Sequence, residues 1–217
     1  MLRFVASVLI TSGILMLCDA GLTLAWQEPV SAYMAQREQN RLGDKLDVDA
    51  NGIVAREKLL VASIRDVKRR LARLGELERK RAETGKPVGR IEIPKIGAKY
   101  VVVQGTDLTT LRKGPGHYPD TRFPGERGTV AIAGHRTTYG APFRSIDSLR
   151  KGNHIVLKMP YGTFTYAVEK TQIVDPDDTW ITHRVPGAPR LVLSACHPLY
   201  SASHRIIAFA RLVSEVP

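Results

Sequence analysis

Cys196 closes the apolar run Leu191-Val192-Leu193-Ser194-Ala195 and is followed by His197 and Pro198. Proline cannot donate to a sheet ladder, so a strand ends there and the thiol sits on a rim rather than in mid-sheet. A lone cysteine is most often a small buried hydrophobe, and two other residues argue for more here. His135 ends a second strand-like run, 129–134, whose last residue is a glycine that permits close backbone approach. Arg205 opens a third run across a loop of eight residues, 197–204. If the runs 190–195 and 205–213 are antiparallel neighbours, Cys196 and Arg205 face each other at one rim. A free thiol near pKa 8.5 is mostly protonated at neutral pH, and a neighbouring imidazolium or guanidinium favours the nucleophilic thiolate. Arginine can also donate to a developing oxyanion. Cysteine, histidine and arginine at one rim make an acyl-transfer constellation.

The other histidines carry less. Successive side chains of an extended chain point to opposite faces, so His197 is not expected to be the base for Cys196. His117, in Gly114-Pro115-Gly116-His117-Tyr118-Pro119, reads as the brace of a turn. His204 either lines the site or is solvated, and His154 and His183 have no informative context. H-E-x-x-H, G-x-x-x-x-G-K, G-x-S-x-G and C-x-x-C patterns are absent from the sequence, so zinc, phosphate-loop and serine-hydrolase chemistry have no motif to rest on. Asp47 to Gly52 resembles the first half of a calcium loop, but its twelfth position is Lys58 where a bidentate Glu is needed; a helix-capping turn is the better reading.

These residues must be positioned by short strands. Runs at 89–93, 99–104, 129–134, 154–159, 163–174, 190–195 and 205–213 alternate with Gly- and Pro-rich turns, which argues for a closed barrel or sandwich over residues 88–217. Ahead of it, residues 27–87 read as a basic, partly helical stalk. Leu60, Ile64, Val67, Leu71 and Leu74 form an apolar stripe over residues 56–83, opposite Arg65, Lys68, Arg69, Arg70 and Arg73. That face is either solvated, with the stripe packed on the domain, or set against anionic lipid headgroups. Residues 4–26 hold a single charge, Asp19, and are long enough to cross a bilayer. An uncleaved anchor is expected over residues 1–26, with a cleaved signal peptide as the competing reading. Arg3 lies on one side and Arg37 and Arg41 on the other, so the positive-inside rule does not set the orientation.

The 217 residues carry 32 Lys and Arg against 21 Asp and Glu, a net charge of +11. Residues 1–86 hold 15 basic and 11 acidic groups and residues 87–217 hold 17 and 10, so no basic tail exists to serve as a nucleic-acid arm. Two cysteines exclude a disulfide framework.

Three segments together resemble the sortases: residues 114–119, the Gly128 to Arg136 segment, and Leu193-Ser194-Ala195-Cys196-His197-Pro198 followed by Arg205. The stretch from Cys196 to Arg205 (Cys-His-Pro-x-Tyr-Ser-Ala-x-x-Arg) is most similar to class E sortases. The resemblance implies an eight-stranded β-barrel of sortase type behind an amino-terminal membrane helix, with the enzyme outside the cell. It implies a cysteine transpeptidase that cuts a Leu-Pro-x-Thr-Gly or Leu-Ala-x-Thr-Gly sorting signal between Thr and Gly through a thioacyl enzyme. The acceptor would be an amine of a peptidoglycan precursor or a pilin lysine. Cys196 would be the nucleophile, His135 the acid and base, and Arg205 the holder of substrate and oxyanion. Ala195, Ser194, Tyr200 and His204 are candidates for contacting substrate. Many sortases have Thr where this chain has Ala195, with Ser194 one residue earlier, so a hydroxyl near the oxyanion is missing or displaced. Asp175, Asp177 and Asp178 do not match the calcium site of class A enzymes, so neither metal nor cofactor is expected. The alternatives are a catalytically silent barrel that binds envelope polymers or a protein, and a cysteine hydrolase that passes its acyl group to water.

Overall fold

The computed structural model describes residues 1–26, 29–182 and 189–217, with the side chains of residues 2, 22–30 and 49–58 set aside. Three helices lead into the barrel: α1 (Leu2–Trp26), α2 (Pro29–Leu60) and α3 (Val67–Arg81). The strands are β1 (Pro87–Ile93), β2 (Ala98–Gln104), β3 (Gly116–His117), β4 (Thr129–Ala133), β5 (His154–Met159), β6 (Gly162–Val174), β7 (Arg190–His197) and β8 (His204–Val216). They close in the order β1-β2-β3-β4-β7-β8-β6-β5. The β2–β3 and β4–β7 pairs are parallel and the others antiparallel. The seven expected strands are all present. The eighth, β3, falls in the segment read as a turn, because two residues between Gly and Pro carry no periodic signal.

Both faces of β4 and β7 are covered. Val130, Ile132, Leu191, Leu193 and Ala195 join the main core inside the barrel, with Ile206, Ala208 and Ala210 of β8. Ala131 and Val192 point the other way and join Val174, Ile181, Ile207 and Phe209 in a second apolar cluster on the outer face. The ring of Trp180 stacks on Phe209 there. Two-sided burial explains why these strands read as near-continuous apolar runs.

The described part of the expected stalk, from residue 31 on, packs along the barrel. Ala35, Gln39, Leu42 and Leu46 are buried along one face of α2, at helical spacing. Leu42 and Leu46 pack on Val101 and Val103 of β2. Gln39 completes the β2 edge where β3 has not yet begun: its Oε1 accepts from the Val101 N–H at 2.6 Å, and its Nε2 donates to the carbonyls of Val101 and Lys113 at 3.1 and 2.7 Å. On the β1 side Arg90 donates to Asp47 at 2.9 Å. The segment 47–52 is helical within α2, neither a calcium loop nor the expected capping turn.

The apolar stripe expected over 56–83 is broken. Asp66 caps the start of α3, its carboxylate accepting from the Arg69 N–H at 2.7 Å. Val61, Ile64, Leu71 and Leu74 reach the core, whereas Leu60 and Val67 are exposed. The packed face of α3 comes close to the barrel at Gly75, where a Cβ would lie 2.8 Å from the Pro124 carbonyl. The basic face is partly paired, with Arg73 on Glu76 and Lys68 near Glu215. Within α1, Arg3–Gly21 is long and apolar enough to cross a membrane and buries none of that surface in the protein.

Candidate active site

The parallel pairing of β4 with β7 carries both strand ends to the same rim, and β8, antiparallel to β7, begins there. The β4–β7 register runs from Thr129 opposite Arg190 to Ala133 opposite Ser194. The Gly134 N–H extends it by donating to the Ser194 carbonyl at 3.0 Å. Continued to the next pair, the same register sets His135 beside Cys196. On the other side Cys196 lies directly opposite Arg205, the pairing anticipated from the loop length. The pleat puts Cys196 and Arg205 on one face, that of Val192, Ile207 and Phe209. Alternation along β4 aims His135 at this outer face too, above the second apolar cluster.

Gly134 has a local reason. A Cβ there would lie 2.5 Å from the ring of Phe143, which is fully buried. The Phe143 N–H in turn donates to the His135 carbonyl at 3.0 Å. The His135 ring sits 5.2 Å from that of Tyr139, which lies under the guanidinium of Arg112. Its Nε2 is buried with no hydrogen-bond partner among the described residues. Burial first and the positive charge of Arg112 second lower its pKa, so the neutral imidazole is favoured more than in water. The α2 helix reaches this loop as well: Ser31 Oγ accepts from the Tyr139 N–H at 3.4 Å. Tyr100 on β2 donates to the Gly140 carbonyl at 2.7 Å.

The Cys196 side chain is half-buried. Arg205 is also partly exposed, and its Nη1 donates to the carbonyls of Ala202 and His204 at 2.9 and 3.0 Å, bracing the β7–β8 loop. Among the other expected substrate contacts, Ser194 shares the face of Cys196 but is buried. Ala195 points into the barrel core with Leu193, away from the thiol. Tyr200 is exposed and accepts a 3.4 Å contact from Arg144. His204 is exposed and lies 3.8 Å from Asp175. His197 pairs with His204 across the ladder and faces Arg136, so it is turned from the thiol as alternation requires. His117 is buried with partners on both ring nitrogens. His183 lies outside the described residues.

Asp175, Asp177 and Asp178 shape the turn ahead of the 3-10 segment Thr179–Thr182, the Asp178 carboxylate accepting from the Asp175 N–H at 3.1 Å. Among the described residues no cluster of three or more His, Cys, Asp or Glu side chains gathers. Sequence reasoning passed over Arg112 and Tyr139, which flank the His135 ring, and Arg136, which reaches the Cys196 carbonyl from the opposite face.

Comparison with known proteins agrees with this geometry. The chain is 42% identical to sortase D of Bacillus subtilis (strain 168) over 135 residues, 61% of this chain and 67% of that protein. It is 29% identical to sortase SrtE1 of Streptomyces coelicolor over 150 residues, 62% of this chain but 43% of that protein. The structure of sortase E from Streptomyces avermitilis superposes with a TM-score of 0.58 at 35% identity, over 62% of this chain and 93% of that one. The expected leaning to class E is therefore not singled out, since the class D relative is the more similar of the two curated sequences. The sortase domain profile matches residues 91–213, from within β1 to within β8 and across every residue of the rim. With that match over more than half its length, the chain belongs to the sortase family of cysteine transpeptidases.

Proposed function

We propose that this chain is a membrane-anchored transpeptidase that acts on sorting signals at the cell envelope. The Cys196 thiol passes its proton to neutral His135 and attacks the Thr carbonyl of a Leu-Pro-x-Thr-Gly or Leu-Ala-x-Thr-Gly signal; the Thr–Gly bond breaks as His135 hands that proton to the departing glycine amine. The thioacyl enzyme is then resolved by an amine, of a cell-wall precursor or a pilin lysine, whose proton His135 accepts. Arg205, across the ladder from the thiol, donates to the substrate carbonyls and the oxyanion. The observation that carries this reading is the convergence of the ends of β4 and β7 with the start of β8 on one face of one rim.

The supports are chemical. A partly exposed thiol can be reached by a peptide substrate. The helix α1 serves as an uncleaved anchor that keeps the rim at the outer membrane surface, where such substrates emerge. A cleaved signal peptide would leave the chain unanchored.

The test uses the full chain in detergent with paired Leu-Pro-x-Thr-Gly and Leu-Ala-x-Thr-Gly peptides, a glycine or diamino acceptor, and mass spectrometry of the products. A ligated product that vanishes in Cys196→Ala supports transpeptidation, and the faster peptide assigns the signal. Hydrolysis without ligation would favour a water-using hydrolase. Turnover surviving in Cys196→Ala would remove the nucleophile assignment.

A further inference from the structure

Arg136 follows His135 directly and points to the opposite face of the same strand ends. It is 2% exposed. Burying a guanidinium is costly unless its donors are spent on good acceptors. Here Nε and Nη2 donate to the Arg144 carbonyl at 3.1 and 3.0 Å, and Nη2 donates to Asp147 Oδ2 at 2.8 Å. Nη1 turns the other way, to the Cys196 carbonyl at 3.5 Å and to His197 Nδ1 at 3.3 Å. Arginine has no acceptor, so His197 Nδ1 must accept, which places the proton of a neutral His197 on Nε2. The guanidinium fork therefore spans from the loop 144–147 to the last two residues of β7.

We propose that Arg136 is a positioning residue for the sortase reaction, fixing the separation of Cys196 and His135 from behind the sheet. The ladder alone does not do this. The last β4–β7 pair in regular register is Ala133 with Ser194, and Gly134 supplies one more backbone bond. Beyond that point β4 has ended, whereas Cys196 and His197 stay paired with Arg205 and His204 of β8, so the β4–β7 ladder no longer holds His135 against the thiol. Arg136 joins them: its own backbone continues from His135, and its side chain grips the carbonyl of Cys196. Asp147, half exposed, supplies the one carboxylate in the network and holds the fork in orientation. A bidentate, planar fork is needed, because a lysine point charge reaches one acceptor direction at a time. Misplacing a nucleophile and its acid by about 1 Å costs on the order of 100-fold in rate.

This inference rests on the assignment of Cys196 and His135 above, and the experiment separates the two. Steady-state ligation kinetics and thermal denaturation are measured for the wild type, Cys196→Ala, Arg136→Lys and Asp147→Asn. Arg136→Lys is expected to lower kcat on the order of 10–100-fold with KM within about twofold, since the peptide-binding face is untouched. Its melting temperature is expected to stay within about 5 °C of wild type. Asp147→Asn keeps the fork buried and bonded but releases its charge partner, and is expected to reproduce a smaller part of the kcat loss at unchanged KM. Wild-type kcat in Arg136→Lys, with Cys196→Ala inactive, would overturn the inference alone. So would losses in both variants that track lowered melting temperatures, or that appear in KM rather than kcat, because a merely structural pin acts that way. Turnover in Cys196→Ala would remove the assignment, and this inference with it.

Discussion

His117 lies on β3 and His135 two residues past the end of the neighbouring strand β4, and their surroundings differ sharply. β3 pairs with β4, and His117 lies across from Ile132, three residues before His135. Each follows a glycine. His117 is buried with its Nδ1 2.9 Å from the Gln104 amide, its Nε2 3.0 Å from the Arg122 carbonyl and 3.1 Å from the Thr121 hydroxyl, and its ring edge-on to Phe123. Every polar atom of it is spent on the fold. His135 is only partly buried, its Nε2 has no partner among the described residues, and its neighbours are an aromatic ring and a cation. A saturated histidine braces; a histidine with an unspent nitrogen at a rim is free to move a proton. Residue type and exposure alone do not separate the two roles, but the partner inventory does.

Substitution should split them cleanly. His135→Ala is expected to cut ligation on the order of 10²–10⁴-fold while leaving the melting temperature near wild type. His197→Ala, at the thiol's own neighbour, is expected to lose much less; the reverse order in peptide assays would mean that the wrong histidine has been chosen. His117→Ala is expected to do the opposite of His135→Ala. It removes a buried ring and leaves Gln104 and Thr121 without their partner, a stability loss of about 3 kcal/mol readable by denaturant titration. Activity of the remaining folded protein should stay within about threefold. A His117→Ala protein that is stable but inactive would erase the contrast.

Acid sharpens the same comparison. Burial holds the His117 pKa down at about 4, with Arg79 adding to the effect and the Arg122 carbonyl opposing it. Unfolded, the group titrates near 6.5, so between those values the unfolded chain binds the proton and the folded one does not. Stability contributed by neutral His117 is thus full above about pH 6.5 and falls as pH drops toward 4, by about 3 kcal/mol in total. Melting curves from pH 7 to 4 should show that decline, and His117→Gln should flatten it. The smallest expected effect concerns Arg112. Its charge disfavours imidazolium at His135, so Arg112→Gln should raise that pKa and move the histidine limb of kcat/KM toward higher pH by less than about one unit. An unmoved or downward-moved limb would show that Arg112 does not act on His135 through charge.

Much of this was written in local sequence. Two-sided apolar runs ending in Gly134-His135 and Cys196-His197-Pro198 announce buried strands that stop at a rim, and the eight-residue loop before Arg205 announces an antiparallel partner. Seven of the strands follow from periodicity and turn residues. The helix α2 was not read from the sequence, because a polar residue, Gln39, interrupts the stripe of Ala35, Leu42 and Leu46. Gln39 is buried only because β2 presents an unpaired edge that a side-chain amide can satisfy, a fact no window of sequence contains.

What the sequence determined by itself, then, was the proposed reactive set and the strands that carry it, because strand ends, alternation and thiol chemistry are local properties. Tertiary structure alone decided that β4 and β7 lie parallel, with 56 residues between Ala133 and Arg190. It alone decided that Arg136 reaches the Cys196 carbonyl and that His117 is saturated while His135 is not. Those are matters of which chain segments meet, and long-range pairing is chosen by burial of both faces of a closed sheet rather than by any neighbour along the chain.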